Sequence, residues 1–141
     1  MLETRNCLQA IAHRWLEAGW QRGDTAAVGS LYAPDFVDLG NPVGRPGTAD
    51  ENIAGIDALY AAFPDFHAVA DDVVVDVDGG KAAVRWRATG THRGAFMGAD
   101  PTSRRVAFQG IEILSIRDGL IVERAGEWDS LALLQQLGVL P

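Results

Sequence analysis

The hydrophobic period of the chain changes lastingly at Pro64, and that change restricts the fold more than any other feature of its 141 residues. Before Pro64, apolar residues recur at helical spacing; after it they alternate, with turn signals between the runs. Residues 3–22 place Leu8, Ile11, Ala12, Trp15, Leu16 and Gly19 on one face of a helix. Gly23 ends it. Asp24 offers an N-cap for a second helix, roughly 25–33, which carries Val28, Leu31 and Tyr32 and is closed by Pro34. "DFVDLG" (35–40) reads as a short strand and "NPVGRPG" (41–47) as a turn-rich loop. "TADE" (48–51) is a capping box that opens a helix with Ile53, Ile56, Leu59, Tyr60 and Phe63 on one side.

Beyond Pro64, "FHAVADDVVVDVD" (66–78), "KAAVRWRATGT" (81–91), "RVAFQGIEILSI" (105–116) and "LIVERAGEW" (120–128) read as strands. "DGG" (78–80) and "RDG" (117–119) turn the chain, and residues 92–104 form a glycine-containing loop. A last helix, roughly 130–137, stops at Gly138. The order predicts a single α+β domain over residues 1–141. The expected architecture is a cone-shaped barrel of a curved antiparallel sheet packed against N-terminal helices. A cone of this size holds one small apolar ligand in its mouth.

Charge excludes some partners. A net charge of −7 argues against nucleic acid and anionic membrane surfaces, which both need clustered Lys and Arg. The start, "MLETRNCLQA", carries charges where a signal peptide needs an apolar run, and no long apolar segment follows, so a cytoplasmic location is expected. Cys7 has no second cysteine to pair with and no neighbour in sequence that would favour its thiolate. His13, His67 and His92 lack metal-ligand spacing, so no metal is expected. His67 reads as an exposed strand residue and His92 as an organiser of its loop. No serine has the strained-turn context of a nucleophile.

Two acids and one arginine break the apolar patterns. If Phe108, Gly110, Glu112 and Leu114 share a face, that face is apolar with a single carboxyl group. Burying an acid unpaired is costly, so Glu112 is either functional or bridged to Arg85, Arg87 or Arg124. Arg124 in turn either anchors an acidic substrate group or pairs with Glu112. Asp129 is either the N-cap of the last helix or a base facing the cavity. Strand parity turns Asp129 away if Trp128 faces inward, unless the chain bulges near Gly126. Trp86 and Trp128 either stack on a planar ligand or fill the core. Asn41 either holds a carbonyl or makes an Asx-turn before Pro42.

The element order, with "FPDFH" (63–67), "GTHRGAFMGADPTSRRV" (90–106), "DGLIVE" (118–123) and "WDSLALLQQLG" (128–138), resembles the SnoaL-like polyketide cyclases. These belong to the cone-shaped superfamily of nuclear transport factor 2 and ketosteroid isomerase. The resemblance covers nearly the whole chain. It implies ring closure by intramolecular aldol condensation on a polyketide ester, without metal or organic cofactor. Asp129 would be the base and Glu112 would orient the substrate or stabilise the enolate. Trp86, Trp128, Phe96, Asn41 and Arg124 would line the site. The partner is a small hydrophobic, polyketide-like molecule, and a homodimer through the outer sheet face is expected.

Residues 31–48 are also similar to the stretch of ketosteroid isomerase that carries its general base. There the pattern is Asp-Pro-Val-Gly; here it is Asn41-Pro42-Val43-Gly44. An amide cannot take the proton, which argues against steroid isomerisation. That isomerase's protonated acid corresponds by motif to Glu112. The rival readings are a non-catalytic binder of a small hydrophobic ligand, or a related isomerase, dehydratase or epoxide-opening hydrolase. The last needs an Asp–Arg–Asp set around a water, with Arg85, Arg87 or Arg124 at its centre.

Overall fold

The computed structural model describes residues 4–40 and 44–140. Four helices and five strands follow one another as α1 (Arg5–Trp20), α2 (Thr25–Leu31), β1 (Tyr32–Asp38), α3 (Ala49–Ala62), β2 (His67–Asp76), β3 (Lys81–Thr91), β4 (Arg105–Arg117), β5 (Leu120–Trp128) and α4 (Ser130–Gln136). Each helix starts where its side chains can satisfy free backbone amides. Thr4 caps α1 through the Cys7 amide, and Asp24 caps α2 through the Ala27 amide. Thr48 and Glu51 close a reciprocal capping box on α3. None of these helices is long and apolar enough to cross a membrane.

The sheet has the order β1-β5-β4-β3-β2. Two expectations are corrected here. The curved sheet does not close into a barrel; β1 and β2 are its edges. Nor is it wholly antiparallel, because β1 runs parallel to β5. Pro34 does not merely close α2. It lies inside β1, which begins at Tyr32 directly after the helix. An edge strand tolerates proline because one row of its amides has no ladder partner.

One face of the sheet carries α1 and the core. Phe108, Gly110, Glu112 and Leu114 on β4 alternate with exposed Ala107, Gln109, Ile111 and Ile113. On β3, Ala82, Val84, Trp86 and Ala88 face inward, while Arg85 and Arg87 face outward. The outward arginines pair with Asp72 and Asp71 of β2, so neither reaches Glu112. The apolar stripe of α1 covers the inner face, with Leu8, Ala12 and Trp15 fully buried. Trp15 donates its indole N–H to the Tyr32 hydroxyl at 3.0 Å, which satisfies the buried polar end of each ring.

The loop 92–104 straps the sheet to the end of α3. The amides of Arg93 and Gly94 both donate to the Ala62 carbonyl. His92 is fully buried and accepts the Thr102 amide on Nδ1, which pins the two ends of the loop together. This strap places Phe96 edge-on against Phe63.

Candidate active site

Between α3 and the inner sheet face lies a cavity of about 360 Å³. Trp86, Phe108 and Trp128 form one aromatic wall with centroid separations of 5.7 and 5.5 Å. Phe66, Phe96 and Trp20 extend it. The polar end holds three charged side chains from three elements: Asp38 of β1, Glu112 of β4 and Arg124 of β5. Arg124 Nη1 lies 2.8 Å from Asp38 Oδ1, and Nη2 lies 2.8 Å from Glu112 Oε2. One guanidinium therefore bridges two acids.

The group is held from behind by a chain of hydrogen bonds. Trp15 donates to Tyr32, Tyr32 donates to Asn52 Oδ1 at 2.6 Å, and Asn52 Nδ2 donates to Asp38 Oδ2 at 2.9 Å. Asp38 also accepts the Gly40 amide. Three donors on two oxygens suit a carboxylate, which only accepts. Glu112 is served less fully. Trp86 Nε1 donates to Oε1 at a long 3.3 Å, and Oε2 has an ion-pair neighbour in Arg124 but no aligned hydrogen bond. Oε2 is itself buried against Arg124 and Gly126, so Glu112 meets the cavity with the rest of its side chain.

Burial pushes Glu112 up from its ordinary 4.5 to about 7, against the opposing pull of Arg124 and the Trp86 hydrogen bond. Arg124 itself moves the other way from what burial alone would do. Desolvation lowers it, but Glu112 and Asp38 outweigh that and hold its proton more tightly. At neutral pH the arginine is a fixed cation, and Glu112 is poised between acid and base.

Gly126 makes this arrangement possible. It sits opposite Glu112 in the β4–β5 ladder. A Cβ there would fall on Glu112 Oε2 and crowd Arg124 Nη2. The ladder runs without a shift from Trp128 to Glu123, so Gly126 marks no bulge; it vacates space for a carboxylate. Gly126→Ala should displace the Glu112–Arg124 pair, cost about 1–3 kcal/mol of stability and sharply reduce any activity of the site. Urea unfolding and a turnover assay check this; an alanine variant with wild-type values of both would contradict the crowding.

The structure separates the sequence candidates. Glu112, Arg124, Trp86, Trp128 and Phe96 all line the cavity, and Arg124 pairs with Glu112. Asn41 lies outside the described residues. Asp129 stands apart. With the ladder regular, Gly126 and Trp128 face inward and Asp129 does not. It is exposed, caps α4 through the Ala132 amide at 3.0 Å, and borders a different cleft beside His67 and Arg87.

Two site residues escaped the sequence reading. Asp38 shares strand parity with buried Phe36, a signal present in "DFVDLG". Asn52 lies one helical turn before Ile56, on the same face of α3 as that buried residue.

An open α+β cone with an aromatic hollow and one buried acid–arginine–acid group defines a class of small-molecule-binding proteins. The profile of the SnoaL-like polyketide cyclases matches residues 10–137, and the chain belongs to that family. No curated protein matches the sequence significantly. Among solved structures, AclR from Streptomyces galilaeus, a proposed hydroxylase, shares 27% identity and superposes with a TM-score of 0.88 over 98% of this chain and 85% of its own. TsrD from Streptomyces laurentii is 29% identical, with a TM-score of 0.86 over 98% of this chain and 99% of its own. IdmH from Streptomyces antibioticus, a proposed polyketide cyclase, is 32% identical, with a TM-score of 0.79 over 95% and 99% respectively.

Proposed function

We propose that the protein is a cofactor-free acid–base enzyme that closes a ring by intramolecular aldol condensation on a carbonyl-rich, largely planar polyketide ester. One observation carries the proposal: Glu112 is buried at the polar end of an aromatic cavity, and that burial raises its proton affinity to near neutrality. A base with such an affinity is well matched to carbon acids at physiological pH. Glu112 takes the proton from a carbon between two carbonyls, leaving an enolate. That carbon bonds to a ketone or aldehyde carbon in the same molecule. The alkoxide so formed takes the proton back from Glu112. Arg124 supplies positive charge as the enolate develops, and Asp38 and Asn52 hold it in place. Trp86 and Trp128 flank the planar ligand.

This reading moves the proton-transfer role from Asp129 to Glu112 and leaves Asp129 as a cap. Asp129→Asn retains a good N-cap and should keep both stability and turnover of an aromatic polyketide ester close to wild type. Glu112→Gln should lose turnover. The reverse pattern would return the base role to Asp129.

A second reading draws on the acid–arginine–acid set itself, which also suits hydrolytic ring opening: one acid deprotonates a water while the other protonates the epoxide oxygen. Product mass separates the two, since aldol ring closure gives an isomer of the substrate whereas hydrolysis adds one molecule of water. A purely binding module fits less well. It has no use for an acid left with raised proton affinity, a state that costs folding energy.

We also infer a homodimer through the outer sheet face. Val74, Ala83, Ile113 and Ala125 lie side by side across four strands, and Val74 and Ile113 are 65% and 44% exposed. Such a row favours a second apolar face. Ile113→Glu should convert a dimer to a monomer in sedimentation velocity; an unchanged sedimentation coefficient would rule out this interface.

A further inference from the structure

Three glycines lie within helices, and two of them have packing reasons. A Cβ at Gly19 would meet Val28 at 3.0 Å, and one at Gly29 would meet Ile53 at 3.3 Å. Gly55, in the middle of α3, is different: a Cβ there would meet nothing within 4 Å. Glycine inside a helix loses about 0.5–1 kcal/mol relative to alanine, and nothing in the fold of the chain offsets that loss here. Gly55 is exposed, and it lines the cavity together with Asn52 and Leu59 of α3. Bare helical backbone at a cavity wall is what a flat ligand needs for close approach.

We propose that Gly55 sets the size of ligand the cavity accepts: a ring of the substrate lies flat against the α3 backbone at this position. The inference rests on the aromatic cavity being the substrate site, but not on which acid moves the proton. Glu51 lies one helical turn before Gly55 on α3 and also lines the cavity. It is held well below the usual carboxylate range by its hydrogen bonds to Arg45 and is already matched in charge, so this wall suits an uncharged ring.

The test uses two neutral probes, 2-naphthol with two fused rings and a tetracenequinone with four, bound to the intact protein and followed by quenching of tryptophan fluorescence. Gly55→Leu should weaken the four-ring probe about tenfold or more while leaving the two-ring probe within about twofold. Gly55→Ala fits without a close contact and should raise Tm by about 2–4 °C. Equal weakening of both probes, no weakening of either, or a fall in Tm for the alanine variant would each overturn the proposal. The proton-transfer reading is judged separately by turnover of Glu112→Gln, so the two can fail independently.

Discussion

Glu112→Gln should lower turnover by about 10²–10⁴-fold, the usual worth of a general acid–base group, while making the protein more stable at pH 8. The stability half follows from linkage. The folded-state proton affinity of Glu112, about 7, lies above its ordinary 4.5. Between those values the native state holds a proton that the unfolded state has released. Stability from this group is therefore complete below pH 4.5 and is lost as pH rises through 7. The loss amounts to about 3 kcal/mol over that window. Glutamine keeps the shape and cannot ionise, so the variant should lack this decline. Urea unfolding of both proteins from pH 4 to pH 9 checks the prediction. Parallel stability curves would mean that Glu112 titrates as an ordinary surface acid, and the catalytic account would lose its physical basis. The wild-type rate should also show an ionisation near pH 7.

Arg124→Met should be the most destabilising single change in the cavity, costing about 3–5 kcal/mol at pH 8. Its guanidinium is the shared counterion of two buried acids, each 2.8 Å away. Removing it leaves Asp38 and Glu112 facing a neutral side chain. The penalty should shrink at pH 5, where Glu112 takes up a proton and no longer needs a counterion. Adding Glu112→Gln to Arg124→Met should likewise recover part of the loss, because residues in one charged network do not act additively. Thermal and urea unfolding at pH 5 and pH 8 measure all of this. A penalty that does not depend on pH would show that lost packing, not unpaired charge, dominates. Lysine is no substitute here, since one compact ammonium cannot span both carboxylates as the planar fork does.

The inner face of β4 was legible in the chain before any coordinates. Period-two alternation places Glu112 beside Phe108 and Leu114, and a lone acid in such company marks itself. Its partner was open among three arginines. The strand register decided it, because Arg85 and Arg87 occupy outward positions on β3 while Arg124 shares the inward set of β5 with Gly126 and Trp128. The same register places Asp129, whose motif alone left cap and base open. Pro34 misled the reading for a different reason. Proline stops a helix and is also accepted in an edge strand, and only the sheet order shows β1 to be an edge.

Helix starts, strand faces and turns were settled by neighbours within a few positions, because caps and the periods of 3.6 and 2 are local properties of backbone geometry. The charged centre was not. Asp38 and Arg124 stand 86 positions apart, and they meet only because β1 pairs in parallel with β5 on the far side of the sheet from where the hairpins lead. Burial then sets the proton affinity of Glu112, and burial belongs to the assembled cavity and to no single stretch of chain.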